Sequence, residues 1–144
     1  MSRLVSFVVL LAVAGCASGA ALGGIPGGGA TGEEAVRRYL EAATTKDMAG
    51  LAAVWGTAEA PLATRVSRQE LERRSLIVMC HLRHDTVQVG VAELGEAGRQ
   101  RFRVELRQGE RSATTSFTTV RNRRTGRWFV ETFDMPAVAT FCTH

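Results

Sequence analysis

The chain has 144 residues, a formal net charge of +4, 45% hydrophobic residues and 22% charged residues. This length suits one domain, and this composition is typical of a folded globular protein rather than a disordered one. With three cysteines and three histidines, the sequence excludes a dense disulfide scaffold and a histidine-rich metal cage. A polytopic membrane protein, a coiled coil and a large enzyme are excluded as well.

The first fifteen residues have the pattern of an export signal. Arg3 supplies a positive charge, and residues 4 to 14 form an apolar run whose helix would reach about 16 Å, roughly half of a bilayer core. This is a signal-peptide core rather than a spanning helix. The run ends in Val13-Ala14-Gly15-Cys16, which resembles a bacterial lipobox. The resemblance implies that a lipid is attached to the Cys16 thiol and that the chain is cut before Cys16. The alternative is an ordinary secreted protein cut at an A-x-A-like site.

The lipobox resemblance also predicts where the chain resides. Ala17 follows the cysteine, and by the sorting rule of Gram-negative bacteria the absence of Asp there favours the outer membrane. We therefore expect an exported protein that is lipid-anchored to the bacterial envelope, on the periplasmic side of the outer membrane if the organism has one. Residues 16 to 30 are rich in Gly and Ala and contain Pro26, so we predict a flexible tether there. The folded domain is predicted over residues 31 to 144.

Three helices are predicted in the first half of the domain. Thr31 and Ser67 each begin a capping box, and Asp47 can cap a second, short helix between them. Apolar residues follow each cap at helical spacing, and the third helix extends to about His81.

The apolar period changes from helical to alternating after Asp85, which predicts four strands. Their ranges are residues 86 to 94, residues 100 to 107, a third strand that follows the turn at 108 and 109 and runs through Val120, and residues 127 to 133. Short turns between consecutive strands predict antiparallel neighbours. The predicted fold class is α+β, with three N-terminal helices packed on a curved four-stranded antiparallel meander.

Two segments carry a family resemblance: AVRRYLEAATTKDMAGL at residues 35 to 51, and Gly126-Arg127-Trp128-Phe129-Val130. The first is similar to the opening, and the second to the last strand, of NTF2-like domains of the ketosteroid-isomerase or SnoaL type. The resemblance covers most of residues 33 to 134 and implies a cone with a pocket between the helices and the sheet. Some members are isomerases or dehydratases, whereas many only bind or dimerise, so the fold does not determine the function.

The predicted pairing of the strands places Glu131 among phenylalanines on the pocket side of the sheet. Trp128 and Val130 are then predicted on the opposite side, unless a bulge exchanges the two sets. The candidate pocket residues are Tyr39, Trp55, Phe102, Phe117, Phe129 and Glu131.

Two groups of residues are catalytic candidates. Glu131 is a candidate pocket acid, because NTF2-like enzymes use a buried carboxylate, and His84 with Asp85 is a candidate acid–base pair. The alternatives are a Glu131 that is solvated or paired with an arginine, and a solvated helix-to-strand junction at His84 and Asp85. No nucleophile elbow, phosphate loop or metal-binding motif occurs in the sequence, so we expect no cofactor and no metal.

Cys80 and Cys142 are predicted to form a disulfide. If Cys16 carries a lipid, these two are an even pair of cysteines in an oxidising compartment. Cys80 lies near the end of the third helix, and Pro136 forces the tail that contains Cys142 to leave the sheet. The bond would hold that tail against the helix; the alternative is two free buried thiols.

Arginines alternate with apolar residues along the second strand, at Arg101, Arg103 and Arg107. An exported protein does not meet nucleic acid, so we interpret this stripe as a solvated face; the alternative partners are anionic headgroups or wall polymers.

The sequence therefore favours a non-catalytic, membrane-tethered domain that binds a small apolar ligand or an envelope protein. One alternative is an isomerase-like or dehydratase-like enzyme. The other is a structural module that forms a homodimer through the sheet face carrying Trp128 and Val130.

Overall fold

The computed structural model describes residues 27 to 143, and its fold is α+β. The helices come first: α1 (Gly32–Thr45), α2 (Met48–Val54) and α3 (Arg68–His81). The strands follow: β1 (Thr86–Leu94), β2 (Gln100–Gln108), β3 (Arg111–Arg121) and β4 (Trp128–Phe133). Short 3₁₀ helices lie at Leu62–Thr64 and Glu96–Gly98. The predicted export signal, the lipidation site Cys16 and the first part of the tether lie outside the described residues.

The number of helices differs from the prediction, because the tail after β4 forms a further helix of 3₁₀ type, Pro136–Cys142. Pro136 occupies its first turn, where the missing proline N–H removes no helical hydrogen bond. Val138 and Phe141 are buried from this segment. α2 is equally short but begins at the capping side chain of Asp47, whereas this segment has no capping side chain, so the sequence predicts only a tail here.

Each α-helix begins where its capping residue predicts. In every case the side chain of the cap accepts a hydrogen bond from the backbone N–H three residues later, which satisfies one of the free donors of the first turn. The three bonds are Thr31 Oγ1 with Glu34 N at 3.1 Å, Asp47 Oδ1 with Gly50 N at 2.9 Å, and Ser67 Oγ with Glu70 N at 3.2 Å.

The four strands form one sheet in the order β1-β2-β3-β4, with all neighbours antiparallel. We call the side that faces the helices the inner face. The core lies between this face and the helices, and its largest fully buried side chains include Tyr39, Leu40, Leu51, Leu82, Phe102, Leu106, Phe117 and Phe141. Alternate residues of β2 supply the core from the sheet, as the alternation in the sequence predicts.

β4 contains a β-bulge that the sequence analysis left as an open alternative. Thr118 of β3 pairs with Thr132, whereas the next residue, Thr119, pairs with Val130. Glu131 is therefore an extra residue in β4 with no partner in the ladder. Because side chains alternate along a strand, one extra residue reverses the face of every residue on its far side.

The bulge corrects the predicted faces of β4. Val130 is fully buried in the core and Trp128 packs against the same core, so neither lies on the outer face. Phe129 pairs with Val120, outside the main core cluster, and its ring is covered by the backbone at Gly56. The prediction that Phe129 lines the pocket is thus wrong. The surface on which the homodimer alternative depended is also absent from the described part of the chain.

The residues directly before α1 are packed onto the domain. Gly29 and Trp128 exchange two backbone hydrogen bonds of 2.7 and 2.9 Å, and Gly28 N–H donates to the carbonyl of Ala53 at 2.6 Å. The guanidinium of Arg127 donates to the carbonyl of Gly28 at 2.9 Å. The open edge of β4 offers these backbone groups a partner, so the predicted tether is fixed from residue 27 onward rather than from residue 31.

Cys80 and Cys142 are joined by a disulfide bond with their Cα atoms 5.0 Å apart, as the sequence analysis predicts. The bond links α3 to the 3₁₀ helix of the tail. It holds Val138 and Phe141 of that helix in the core.

Candidate ligand-binding cavity

A cavity of about 210 Å³ lies between α1, α3 and the end of β4. Aromatic and aliphatic side chains form most of its wall: Tyr39, Trp55, Ile77, Val78, Phe133 and Met135. The polar residues of the lining are Arg74, Glu131 and Thr132. An apolar wall with few polar groups is the usual composition of a site for a small organic molecule.

Tyr39 is the central aromatic residue of the cavity. Its ring makes edge contacts with Trp55, Phe117 and Phe133, with centroid distances of 5.7, 6.0 and 6.3 Å. The side chain is fully buried, because Tyr39 lies on the apolar stripe by which α1 packs on the sheet. Such edge contacts fix the orientation of the ring.

The hydroxyl of Tyr39 has no hydrogen-bond partner within the described part of the chain. Burial raises its pKa well above the ordinary value, so the group is neutral at physiological pH. A buried hydroxyl without a partner costs roughly 1–3 kcal/mol of stability. The Ser75 hydroxyl, on α3, is likewise buried and has no hydrogen-bond partner among the described residues. Tyr39 thus lines the cavity and also carries a buried hydroxyl whose hydrogen-bonding capacity is unused.

The carboxylate of Glu131 is held by Arg99. Arg99 donates from Nε to Oε2 at 2.5 Å and from Nη2 to Oε1 at 2.8 Å. These hydrogen bonds raise the pKa of Arg99. Both carboxylate oxygens are occupied, so the arrangement is the arginine-paired alternative of the sequence analysis rather than an isolated pocket acid.

Arg74 supplies a positive charge to the lining of the cavity. Its side chain is about half exposed and donates from Nε to Oε1 of Glu70 at 2.6 Å. This hydrogen bond is the main reason that the pKa of Glu70 is lowered. Both residues lie on α3, one turn apart, so the helix itself orients the guanidinium.

Three of the predicted pocket residues line the cavity, namely Tyr39, Trp55 and Glu131. Phe102 and Phe117 are buried in the core instead, and Phe117 stacks on Phe133 at a centroid distance of 5.3 Å. Sequence analysis did not select Ile77, Val78, Phe133 and Met135 for the pocket. The helical stripe of α3 signals Val78, but no pattern in the sequence marks Met135, which follows β4 directly.

His84 and Asp85 do not form an acid–base pair. His84 Nδ1 lies 3.0 Å from Thr44 Oγ1 and 2.7 Å from the carbonyl oxygen of Leu82. The carboxylate of Asp85 accepts a hydrogen bond from the N–H of Gly109 at 2.7 Å. Each side chain therefore fastens the junction between α3 and β1 to a different neighbour, and neither lines the cavity.

No protein-family model matches the chain, and no curated protein or solved structure is significantly similar to it. Within residues 27 to 143, no cluster of three or more His, Cys, Asp or Glu side chains is arranged to hold a metal ion. In the same range, no helix is both long enough and apolar enough to cross a bilayer.

Proposed function

We propose that the protein is a membrane-tethered lipoprotein of the bacterial envelope whose NTF2-like domain binds a small, mainly apolar ligand without catalysing a reaction. The observation that carries this proposal is the mainly apolar, aromatic cavity that is lined by Tyr39, a residue whose buried hydroxyl has no partner among the described residues. The volume of about 210 Å³ is below the roughly 300–1,000 Å³ of sites for drug-sized molecules. The ligand is accordingly small, with one apolar ring or short branched chain and one hydrogen-bond acceptor.

Binding is favoured over catalysis by the state of the polar groups. A general base needs a free carboxylate or imidazole within reach of the proton that it removes. Glu131 has both oxygens engaged with Arg99, and Tyr39 is held neutral by burial. The groups in the lining are therefore suited to holding a ligand rather than to moving a proton.

Two features support the remaining parts of the proposal. The order of helices followed by an antiparallel meander, with a cavity between the two layers, is what the resemblance to NTF2-like domains leads us to expect. The lipobox-like motif that ends at Cys16 supports export and a lipid anchor.

A pair of adjacent variants on α3 tests ligand binding. Both side chains are exposed, but Ile77 lines the cavity and the neighbouring Leu76 does not. Ile77→Trp fills the cavity, and Leu76→Trp is the matched control on the surface. With acetophenone or cyclohexanone as the probe, saturation-transfer NMR is expected to detect binding to the wild type and to Leu76→Trp, and at least tenfold weaker binding to Ile77→Trp. Equal signals from the two variants would exclude this cavity as the binding site.

The lipid anchor is tested by labelling cells with a radioactive fatty acid. Cys16→Ser is expected to leave an unprocessed precursor without label, because the acylated thiol is missing. Adding Ser18→Cys to that variant restores a thiol two residues away and is expected not to restore labelling, since the peptidase and the acyltransferase read a fixed position. Normal labelling of Cys16→Ser would show that the lipoprotein assignment is wrong.

A further inference from the structure

The hairpin that joins β3 to β4 carries four arginines within seven residues, which we call the hairpin arginines: Arg121, Arg123, Arg124 and Arg127. The turn that presents them is fixed by Asn122, which is almost fully buried. Its side-chain oxygen accepts from the backbone N–H groups of Arg124 at 3.1 Å and Thr125 at 2.9 Å. Arg121, Arg123 and Arg124 are exposed, so a rigid turn displays a concentrated positive charge to solvent.

Little negative charge opposes the hairpin arginines. Within residues 27 to 143, one ion pair includes a hairpin arginine. It joins Arg123 to Glu59 at 3.7 Å, and both side chains are largely exposed. Arg121 and Arg127 donate instead to backbone carbonyls, at Gly126 and Gly28 respectively. Carbonyls orient a guanidinium but leave its charge unneutralised, so the hairpin keeps a local excess of positive charge.

The chain enters the domain beside this hairpin. Arg127 Nε donates to the carbonyl of Gly27 at 3.3 Å, and Gly29 pairs with the backbone of Trp128. Cys16 lies eleven residues before Gly27 in the sequence. If the intervening residues form the flexible tether that the sequence predicts, the r.m.s. distance from Cys16 to Gly27 is about 18 Å. With Cys16 held in a bilayer, the hairpin is then expected at an average distance of about 2 nm from the lipid headgroups.

We infer that the hairpin arginines contact the anionic headgroups of the membrane that holds the anchor. This inference depends on the lipid anchor of the proposed function. The guanidinium groups would bind the phosphate diesters of the headgroups. Each arginine near an anionic surface increases the partitioning of a protein onto the membrane about fivefold. β4 leads from the hairpin at Trp128 to the cavity residues Glu131 and Phe133, so with the hairpin on the membrane the cavity would lie up to about 17 Å further from it.

Energy transfer from a labelled residue to a headgroup-labelled lipid measures this orientation in the full chain. Thr125→Cys places a fluorophore on the hairpin, and Glu110→Cys places one on the turn between β2 and β3, at the other end of the sheet. The vesicles are phosphatidylcholine alone or with 30% phosphatidylglycerol, at 0.15 M salt. In the anionic vesicles the transfer from residue 125 is expected to be at least twice that from residue 110. Equal transfer from the two positions would overturn the inference.

Two triple variants of equal charge identify the residues responsible. Arg121→Gln, Arg123→Gln and Arg124→Gln together are expected to abolish the difference between positions 125 and 110. The control replaces the exposed arginines of β2, Arg101, Arg103 and Arg107, by Gln and is expected to retain the difference.

The inference would be contradicted if the difference in energy transfer between positions 125 and 110 remained in the hairpin variant, or if it disappeared in both variants. If soluble polyphosphate contacts the hairpin while the anionic vesicles do not, the partner is a wall polymer and the membrane assignment is wrong. Failure of the anchor is seen separately, as absence of fatty-acid label.

Discussion

Glu131 and Arg99 are joined by two hydrogen bonds that connect the bulge of β4 to the residue directly before β2. The pair spans the intervening strand β3, so it ties three strands together at one end of the sheet. A bulge leaves its extra residue without a partner in the ladder. In this protein the side chain of the extra residue, Glu131, pairs with Arg99. The pair stabilises the strand register that decides which residues of β4 lie on the inner face.

We predict that this ion pair contributes to stability rather than to ligand binding. Glu131→Gln is expected to lower the free energy of unfolding by about 1 kcal/mol, because a charge-assisted bidentate pair is lost. We expect a small loss of stability because the side chain of Arg99 is 37% exposed and its charge is partly screened by water. Urea denaturation of Glu131→Gln, Arg99→Met and the double variant measures the coupling between the two residues, which we expect to be stabilising. Additive effects would show that the two side chains do not stabilise each other.

The second prediction concerns the unpartnered hydroxyl of Tyr39. Tyr39→Phe is expected to raise the stability of the ligand-free protein by about 1 kcal/mol, since a buried hydroxyl without a partner is removed. The same change is expected to weaken the binding of a carbonyl probe by about five- to tenfold, because one hydrogen bond to the ligand is lost. Urea denaturation and calorimetric titration provide the two measurements.

Ser75→Ala is the matched control for this prediction. It removes the other buried hydroxyl without a partner in the described chain, and Ser75 does not line the cavity. A similar gain in stability with unchanged probe affinity is expected. If Tyr39→Phe leaves the affinity unchanged as well, the hydroxyl has no part in binding.

Local sequence patterns predicted the elements of this fold better than their relation to one another. Thr31, Asp47 and Ser67 begin their helices as predicted, because a cap depends only on residues within one turn. The faces of β4 were predicted wrongly, because the position of Glu131 in a bulge depends on pairing with β3 and has no local signature. Phe129 was therefore predicted in the pocket, whereas the extra residue in β4 turns its side chain to the other face of the sheet.

The cavity was predictable in part for the same reason. Tyr39 lies on a helical stripe that any amphipathic reading of α1 places in the core. Met135 contributes to the lining only because the chain turns after β4 into a 3₁₀ helix that the disulfide holds against α3. Such a contribution depends on tertiary structure, which residue spacing alone does not show.

The third prediction is that the disulfide between Cys80 and Cys142 stabilises the whole domain. The two residues are separated by 62 positions, for which the chain-entropy model gives roughly 4 kcal/mol as an upper estimate. Replacing both cysteines by alanine is expected to lower the free energy of unfolding by about 2–4 kcal/mol and to expose Phe141. Urea denaturation with and without a phosphine reductant measures the effect. Reduction is expected to destabilise the wild type and to leave the double variant unchanged; a reductant effect on neither protein would contradict the prediction.

The last prediction concerns two glycines that share a backbone conformation but not their surroundings. Gly28 has a φ of +73° and Gly109 a φ of +58°, a region in which a Cβ costs roughly 1–2 kcal/mol. A Cβ at Gly28 would lie 2.7 Å from the carbonyl oxygen of Trp128 and 3.0 Å from the Phe129 ring, whereas nothing lies within 4 Å of one at Gly109.

Gly109→Ala is therefore expected to lower the free energy of unfolding by about 1 kcal/mol, through backbone strain alone. Gly28→Ala is expected to lower it by about 2–4 kcal/mol, because the clash is with backbone and with a buried ring that cannot move aside. The N–H of Trp128 donates to Gly29. Its hydrogen exchange should thus become faster in Gly28→Ala and stay unchanged in Gly109→Ala. Equal losses of stability and equal exchange in the two variants would show that residues 27 to 30 are not held on β4.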